Sequence, residues 1–142
     1  MKTLIEAELG LSDITVKKLN GYENINYLVS SKSDKIVFKT YEPSKEIFDL
    51  VITETDALLS LQTNPNNLTP SPLAFLDGSF VKTLKIEGQD LICRALTFLE
   101  GDFMVDVAHT KEMIHSFGTE LAKLDVELQL FNSYITKSRV WE

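Results

Sequence analysis

The sequence has 142 residues, of which 44% are hydrophobic and 25% charged, and its formal net charge is −7. This length and composition are typical of a soluble globular domain with a sizeable core. The negative charge, which no basic stretch offsets, argues against nucleic acid as a partner, and no apolar run approaches the length of a membrane span. The single cysteine, Cys93, excludes an internal disulfide framework. Together with an N-terminus too acidic for a signal peptide, it favours the cytoplasm.

Two common classes of hydrolase lack their sequence signatures here. The two histidines, His109 and His115, have no cysteine or further histidine at metal-ligand spacing, so we expect no zinc site. The pattern Gly-x-Ser-x-Gly, which places a nucleophilic serine on a sharp turn, does not occur in the sequence. Zinc hydrolases and serine hydrolases are therefore poorly supported.

Up to residue 42, the chain reads as a helix followed by three strands. Leu4, Ile5 and Leu9 recur at helical spacing, and Gly10 is suited to end that helix. Beyond it, alternating apolar residues and clusters of Ser, Asn and Asp predict strands and turns. The predicted elements are a helix over residues 2–9, strands over 14–19, 27–29 and 35–41, a polar loop over 20–26 and a turn over 30–34.

A strand and a long helix then bring a lysine and a glutamate within reach of each other. The third strand carries Lys39, and Ser44 can cap a helix that runs to Leu61. The apolar face of this helix consists of Ile47, Leu50, Val51, Ala57, Leu58 and Leu61, with Glu54 in its middle. A carboxylate on a core-facing stripe is costly unless it is paired, so the spacing predicts a Lys39–Glu54 ion pair. The alternative is a lysine at a solvated edge and a glutamate that bends out to water.

The second half of the chain predicts further strands and another long helix. A loop over residues 62–72, rich in asparagine and proline, leads into strands connected by short turns, which makes the sheet antiparallel. The predicted elements are strands over 73–76, 80–86 and 91–97, a hairpin turn over 87–90 and a helix over 110–131. The apolar face of this last helix consists of Met113, Phe117, Leu121, Leu124, Leu128 and Phe131.

Four short motifs follow one another in order along the chain. They are Leu-Asn-Gly-Tyr-Glu-Asn-Ile-Asn-Tyr over residues 19–27, the strand lysine Lys39 with the helix glutamate Glu54, Arg-Ala-Leu-Thr-Phe-Leu-Glu-Gly over 94–101, and Gly-Thr-Glu-Leu-Ala-Lys-Leu-Asp over 118–125. In this order and at these spacings they resemble the opening loop, the lysine–glutamate pair, the hinge and the following helix of the aminoglycoside phosphotransferase/choline kinase family. That family has the protein-kinase-like fold.

The resemblance covers roughly residues 3–142 and implies an α+β fold. It implies a protein-kinase-like N-terminal lobe, with a five- to six-stranded antiparallel sheet and one packed helix, followed by a hinge and a long helix. Residues 1–97 would form a nucleotide-binding lobe, and residues 98–142 the hinge and linking helix of a truncated catalytic lobe. Leu124-Asp125 and the segment 139–141, Arg-Val-Trp, look most like the hydroxylysine-kinase-like branch of the family.

The resemblance also implies roles for particular residues in binding ATP or GTP. Lys39 would contact the α- and β-phosphates, and Glu54 would orient Lys39. The loop that covers the phosphates would include Glu23, Asn24 and Asn26. The pocket for the base would be lined by Val37, Thr97, Phe98 and Leu99, with backbone groups of the hinge bonding the purine.

The sequence departs from the family pattern at the residues that carry out the chemistry. The family's catalytic loop, His-x-Asp-x-x-x-x-Asn, and its later metal-binding aspartate do not occur in the sequence. Phosphoryl transfer needs a base for the acceptor hydroxyl and carboxylates to hold Mg²⁺. We therefore expect Mg²⁺ to be held by residues missing from this chain, and the chain alone to be an inactive fragment of a phosphotransferase.

Three functions remain open from the sequence. The first is the ATP-binding part of a small-molecule kinase that acts on a hydroxyl of an amine- or amino-acid-like substrate, with nucleotide and that substrate as partners. The second is a non-catalytic kinase-like binding or regulatory module, and the third is an α+β domain without a nucleotide site. For the chain by itself, the long apolar face of the helix over residues 110–131 predicts a homodimer.

Overall fold

The chain divides into two compact units, Met1–Phe98 and Leu99–Glu142, and each is described by itself. The structure is a computed structural model, and it describes residues 1–19, 21, 24–66 and 68–131. Glu23 and the segment 139–141 singled out in the sequence lie outside the described residues. Within the described ranges, no helix combines the length and the apolar character that a bilayer span requires.

The first unit consists of two helices and an antiparallel sheet. In chain order its elements are α1 (Lys2–Leu9), β1 (Thr15–Leu19), β2 (Ile25–Ser30), β3 (Lys35–Tyr41), α2 (Lys45–Leu61), β4 (Pro72–Leu73), β5 (Lys82–Ile86) and β6 (Gln89–Thr97). Every described strand pairing is antiparallel. The α+β class and the antiparallel sheet that the sequence predicts are confirmed.

Strand β6 is the centre of the sheet. On one side it pairs with β3, and β2 and β1 follow outward from β3. On its other side it pairs with β4 through Ala95 and Leu96, and with β5 from Cys93 to Gln89. The hairpin between β5 and β6 turns at Glu87 and Gly88, whose φ angles of 51° and 86° are both positive, as a two-residue hairpin turn requires.

The two faces of the sheet pack against different helices. The face toward α1 carries the main core, in which the ring of Phe38 meets that of Phe75 edge to face at 6.5 Å between centroids. The buried residues of this core are Ile5, Ile14, Val29, Ile36, Phe38, Phe75, Leu84, Ile86, Cys93 and Ala95. The opposite face carries Lys39 and Arg94 and packs against α2, which buries Val51 and Thr55.

Local signals in the sequence set the ends of the helices in this unit. The Ser44 hydroxyl accepts a hydrogen bond from the Ile47 N–H at 3.1 Å and caps α2, as predicted. Helix α1 ends at Gly10, which adopts the left-handed conformation with φ at 66°.

The predicted apolar stripe of α2 is only partly correct. The helix buries Val51, Thr55 and Leu61, whereas Leu50 is exposed and the Glu54 side chain is 48% exposed. Thr55 can be buried because it is small and its hydroxyl donates to the Val51 carbonyl at 2.7 Å. With Thr55 against the sheet, Glu54 lies at the border between the protein and water rather than in the core.

The strand predicted over residues 73–76 is also shorter than expected, because β4 ends at Leu73. The backbone N–H groups beyond it bond elsewhere: that of Phe75 donates to the Ser79 carbonyl at 2.8 Å, and that of Leu76 to the Glu8 carbonyl of α1 at 2.9 Å. These bonds turn the chain toward α1 instead of continuing the sheet.

The second unit contains a short 3-10 helix, Met104–Asp106, and the long helix α3, Lys111–Gln129. Thr110 caps α3 by accepting a hydrogen bond from the Met113 N–H at 3.2 Å. No residue of α3 is buried, and Phe117 and Leu121 of its predicted apolar face are more than half exposed. The helix therefore has an apolar face that nothing in the second unit's described residues covers.

Candidate functional site

Three polar side chains lie in a row across the face of the sheet that packs against α2. They are Asn26 of β2, Lys39 of β3 and Arg94 of β6. Lys39 is the register partner of Asn26 on one side and of Arg94 on the other. Directly opposed residues of antiparallel strands project from the same face. The sheet therefore places two cations and an amide beside α2.

Arg94 is buried, with only 4% of its surface exposed, and its guanidinium donates hydrogen bonds to three side chains. Its Nη2 donates to Glu54 Oε2 at 2.6 Å, its Nη1 to Thr55 Oγ1 at 3.3 Å and its Nε to the Tyr41 hydroxyl at 3.0 Å. The guanidinium also lies 5.5 Å from the centroid of the Tyr41 ring. A buried guanidinium needs such partners, because an unpaired buried charge is costly.

Lys39 has a different environment from its neighbour. Its ammonium lies 5.9 Å from the centroid of the Tyr41 ring, and it forms no ion pair within the part of the chain that the structure describes. Partial burial lowers the pKa of Lys39, the nearby Arg94 charge lowers it further, and Glu54 acts in the opposite direction. Within the described residues the ammonium is thus a partly buried cation with no carboxylate paired to it, which favours the approach of an anion.

A cavity of about 180 Å³ opens beside this lysine. Its lining residues are Asn24, Lys39, Tyr41, Glu42, Ile47, Leu50, Val51, Glu54 and Arg94. A second cavity of about 230 Å³ shares Asn24, Tyr41 and Glu42 with the first. Pockets for drug-sized ligands begin at about 300 Å³, so the first cavity has room for a small group or part of a larger ligand.

The loop between β1 and β2 approaches the site through Asn24 and Gly21. A Cβ atom on Gly21 would lie 2.3 Å from the Asn24 carbonyl oxygen and 3.0 Å from Asn26 Nδ2, so this position has no room for a side chain. Asn26 Oδ1 is buried, and no hydrogen-bond partner for it occurs among the described residues. Of the three predicted loop residues, Asn24 lines the cavity, and Asn26 lies on β2 beside Lys39 rather than in the loop, because β2 begins at Ile25. Glu23 is outside the described residues.

The residues predicted to line the base pocket are not among those that line the cavity beside Lys39. Val37 shares a face of β3 with Lys39 but is not among the residues that line the cavity. The Thr97 N–H donates to the Ser71 carbonyl at 2.9 Å, and the Phe98 N–H to the Lys35 carbonyl at 3.1 Å. A purine would therefore have to use backbone groups other than these two N–H groups. The third hinge residue, Leu99, belongs to the second unit and is exposed.

The Lys39–Glu54 ion pair expected from the sequence is replaced by an Arg94–Glu54 ion pair. Arg94 lies directly beside Lys39, and its Nη2 is 2.6 Å from Glu54 Oε2. The sequence analysis missed this role of Arg94, which it placed only in the hinge motif. The available signal was a lone arginine inside the apolar run Leu91–Leu96, since a buried arginine implies an acidic partner.

The described residues contain no group of three or more His, Cys, Asp or Glu side chains that could hold a metal ion. Two carboxylates, Glu42 and Glu54, line the first cavity, and Glu54 is already bonded to Arg94. The site as described is therefore suited to binding an anionic group through Lys39.

Comparison with known proteins gives matches among solved structures only. No family model and no curated protein matches the chain. An aminopropanol kinase associated with a microcompartment is 18% identical, with a TM-score of 0.71 over 92% of this chain. An amicoumacin kinase in complex with AMP-PNP, Ca²⁺ and Ami is 14% identical, with a TM-score of 0.73 over 94% of this chain. A spectinomycin phosphotransferase in complex with ADP and spectinomycin is 14% identical, with a TM-score of 0.60 over 93% of this chain.

The matches cover 41%, 40% and 40% of the lengths of those kinases, so this chain spans about two fifths of each. At such low identity the likeness shows the fold. This chain has the fold of the N-terminal portion of the aminoglycoside phosphotransferase-like kinases, as its sequence motifs predict.

Proposed function

We propose that this chain is the nucleotide-binding part of a small-molecule kinase that phosphorylates a hydroxyl group of an amine- or amino-acid-like substrate. The observation that carries this proposal is the position of Lys39, a partly buried cation that pairs with no carboxylate among the described residues, beside a cavity of about 180 Å³. Small-molecule kinases of the same fold support it. We place the protein in the cytoplasm, in line with its lone cysteine, which is buried.

In this proposal each residue of the cavity has a separate role. Lys39 binds the α- and β-phosphates of ATP or GTP, and Glu54 orients the lysine. Asn24, with Glu23, belongs to the loop over the phosphates, and Asn26 lies on β2 beside Lys39. Val37, Thr97, Phe98 and Leu99 belong to the region that receives the base. Residues 1–97 would form the nucleotide-binding lobe, and residues 98–142 the hinge and linking helix.

The divalent cation that accompanies the nucleotide would neutralise charge between its phosphates. We propose that Mg²⁺ takes its protein ligands from a part of the kinase that this chain does not cover, and that the base for the acceptor hydroxyl lies there too. This chain spans about two fifths of each matched kinase, and its described residues contain no group of three or more His, Cys, Asp or Glu side chains that could hold the ion. We expect the chain alone to bind nucleotide but to transfer no phosphate.

Calorimetric titration of the 142-residue protein with Mg·ATP and Mg·GTP tests the proposal. Binding should be measurable for at least one nucleotide, and Lys39→Ala should weaken it more than tenfold. The matched control is Lys85→Ala, because Lys85 is a strand lysine of β5 that forms an exposed ion pair with Asp90 of β6 and does not line the cavity. Wild-type protein that neither binds nucleotide nor gains thermal stability from it would refute the proposal.

A second candidate function is a non-catalytic kinase-like module that binds another protein. The exposed apolar side chains of α3, including Phe117 and Leu121, favour it, because large exposed apolar faces mark interaction surfaces. For the chain alone, we propose that two copies pair through α3 as a homodimer. Measurable nucleotide binding that depends on Lys39 would favour the kinase over this alternative.

A further inference from the structure

We propose that Arg94 is a positioning residue of the phosphate site, which holds one oxygen of Glu54 so that the other oxygen orients Lys39 toward the phosphates. The statement that Lys39 is oriented toward phosphates rests on the proposed function. The positioning of Glu54 by Arg94, and of Lys39 by Glu54, does not depend on which ligand binds. In this arrangement Glu54 is shared between two cations with unequal roles. Arg94 fixes the carboxylate, and Lys39 binds the anion.

The division of roles follows from how each cation is held. The Arg94 guanidinium donates to Glu54, Thr55 and Tyr41, and these three bonds occupy all three of its nitrogen atoms. Being buried and bonded on all sides, it cannot turn toward an incoming phosphate without breaking several hydrogen bonds. Lys39 is less buried, forms no ion pair in the described ranges, and carries its charge on a flexible stem.

The two oxygens of the Glu54 carboxylate differ in their hydrogen bonding. Its Oε2 accepts the bond from Arg94, whereas no hydrogen bond to Oε1 occurs within the described residues. The Glu54 side chain is 48% exposed and lines the cavity together with Lys39. Glu54 is also near enough to Lys39 to favour the protonated ammonium. One carboxylate therefore touches Arg94 and faces Lys39.

Without Arg94, little would keep Glu54 at this place. A half-exposed glutamate gains rotamer freedom and hydration by turning to water, and an exposed lysine–glutamate pair is worth little by itself. Among the described residues, the other charged or titratable groups beside Lys39 are Tyr41 on the same strand and Glu42 just after it. Glu42 is exposed and has no bond to Arg94 among the described residues, so it serves as an internal comparison.

The test is a double-mutant cycle on Mg·ATP affinity with Arg94→Met and Glu54→Gln. If Arg94 acts through Glu54, Arg94→Met weakens binding about tenfold in the wild type and less than twofold in Glu54→Gln. In the matched background Glu42→Gln, the tenfold effect should persist. An equal loss in all three backgrounds would mean that Arg94 binds phosphate directly and would overturn the proposal. A fall in thermal stability with unchanged affinity would reduce Arg94 to a structural role and overturn it equally.

A second measurement needs no nucleotide and separates this inference from the proposed function. NMR titration should show that Glu54→Gln, introduced into the wild type, lowers the pKa of Lys39. Introduced into Arg94→Met, the same substitution should lower the pKa of Lys39 by half as much or less. If the lowering is absent, or is as large without Arg94, the positioning role is wrong even where nucleotide binds. If the lowering behaves as expected but nucleotide does not bind, the proposed function alone fails.

Protein that fails to fold as Arg94→Met can be replaced by Arg94→Lys, which keeps the charge and loses the planar fork. A lysine cannot bond Glu54, Thr55 and Tyr41 together, so Arg94→Lys should weaken Mg·ATP binding about as much as the methionine variant. Wild-type affinity in Arg94→Lys would show that only the charge matters and would overturn the proposal.

Discussion

Lys39 and Arg94 lie directly opposite each other on β3 and β6, so that two positive charges project from the same face of the sheet. Like charges in directly opposed positions destabilise a sheet. Partial burial of Lys39 adds to this cost, and together the two effects lower the pKa of Lys39. The ammonium is therefore a feature that the fold tolerates rather than one that it needs.

Replacing Lys39 with methionine should separate stability from function. We expect Lys39→Met to leave the free energy of unfolding unchanged at pH 7 or to raise it by up to about 1 kcal/mol, because the repulsion of Arg94 disappears. Nucleotide binding should fall more than tenfold. Urea unfolding measures the stability, with Lys85→Met as the control that changes neither quantity. A loss of more than about 1 kcal/mol in Lys39→Met would show that the ammonium supports the fold.

Cys93 should make the protein less stable in alkaline solution. Burial raises the pKa of its thiol from 9.0 to about 12. Between these values the unfolded chain loses the thiol proton and the folded chain keeps it, so stability falls as the pH rises above 9. At pH 10 the loss should be about 1.4 kcal/mol.

Urea unfolding at pH 8 and pH 10 measures this effect in the wild type and in Cys93→Ala. The alanine variant cannot ionise at this position, so its stability should change less between the two pH values. The pKa values of Tyr27 and Tyr41 are also raised, mainly by burial. Tyr41 contributes alike to both proteins, and the smaller effect of Cys93 on the pKa of Tyr27 disappears in Cys93→Ala together with the thiol. An identical loss in the two proteins would contradict the assignment to Cys93.

Phe38 should be among the residues on which the first unit depends most. Its side chain is fully buried and meets Phe75 edge to face. Truncation of a buried phenylalanine costs about 3–5 kcal/mol, so Phe38→Ala should leave the unit largely unfolded or greatly weakened. Phe103→Ala is the matched control, since Phe103 is 79% exposed and its loss should change stability by less than about 0.5 kcal/mol. Thermal unfolding followed by circular dichroism compares the two, and equal melting temperatures would count against this core.

The exposed apolar face of α3 should make the chain a dimer in solution. Light scattering at micromolar concentration should give twice the mass of one chain, and Leu121→Glu should give a monomer by placing a charge in the paired face. Leu130→Glu is the control, because Leu130 is also exposed but lies outside the predicted apolar face of α3. A wild-type monomer with Phe117 protected from solvent would contradict the pairing.

Most of the first unit could be predicted because its signals are local. Ser44 caps a helix from within one turn, Gly10 ends another by its left-handed conformation, and Glu87-Gly88 sets a two-residue hairpin. Alternation along β3 separated the face of Phe38 from the face of Lys39 correctly. Each of these features depends on neighbours within about four residues.

The partner of Glu54 could not be predicted in this way. Two cations, Lys39 and Arg94, lie side by side, and which of them meets the carboxylate depends on the register between β3 and β6. That register joins strands far apart in the sequence, and no local pattern encodes it. The rotation of α2 involves the same distant contact, because Thr55, which faces the sheet, accepts a hydrogen bond from Arg94 of β6.

The central place of β6 has a consequence for the order in which the protein folds. Arg94 and Tyr41, which it contacts, are separated by 53 positions, and such distant contacts form late because the closing of a long loop is entropically costly. A chain emerging from the ribosome can form the meander of β1, β2 and β3 while Phe38 and Lys39 still lack their neighbours on β6. Once β6 has emerged from the ribosome, it can pair with β3, cover the core and bring Arg94 to Glu54. Core and candidate site should therefore appear together, and a nascent chain that stops short of β6 should have neither.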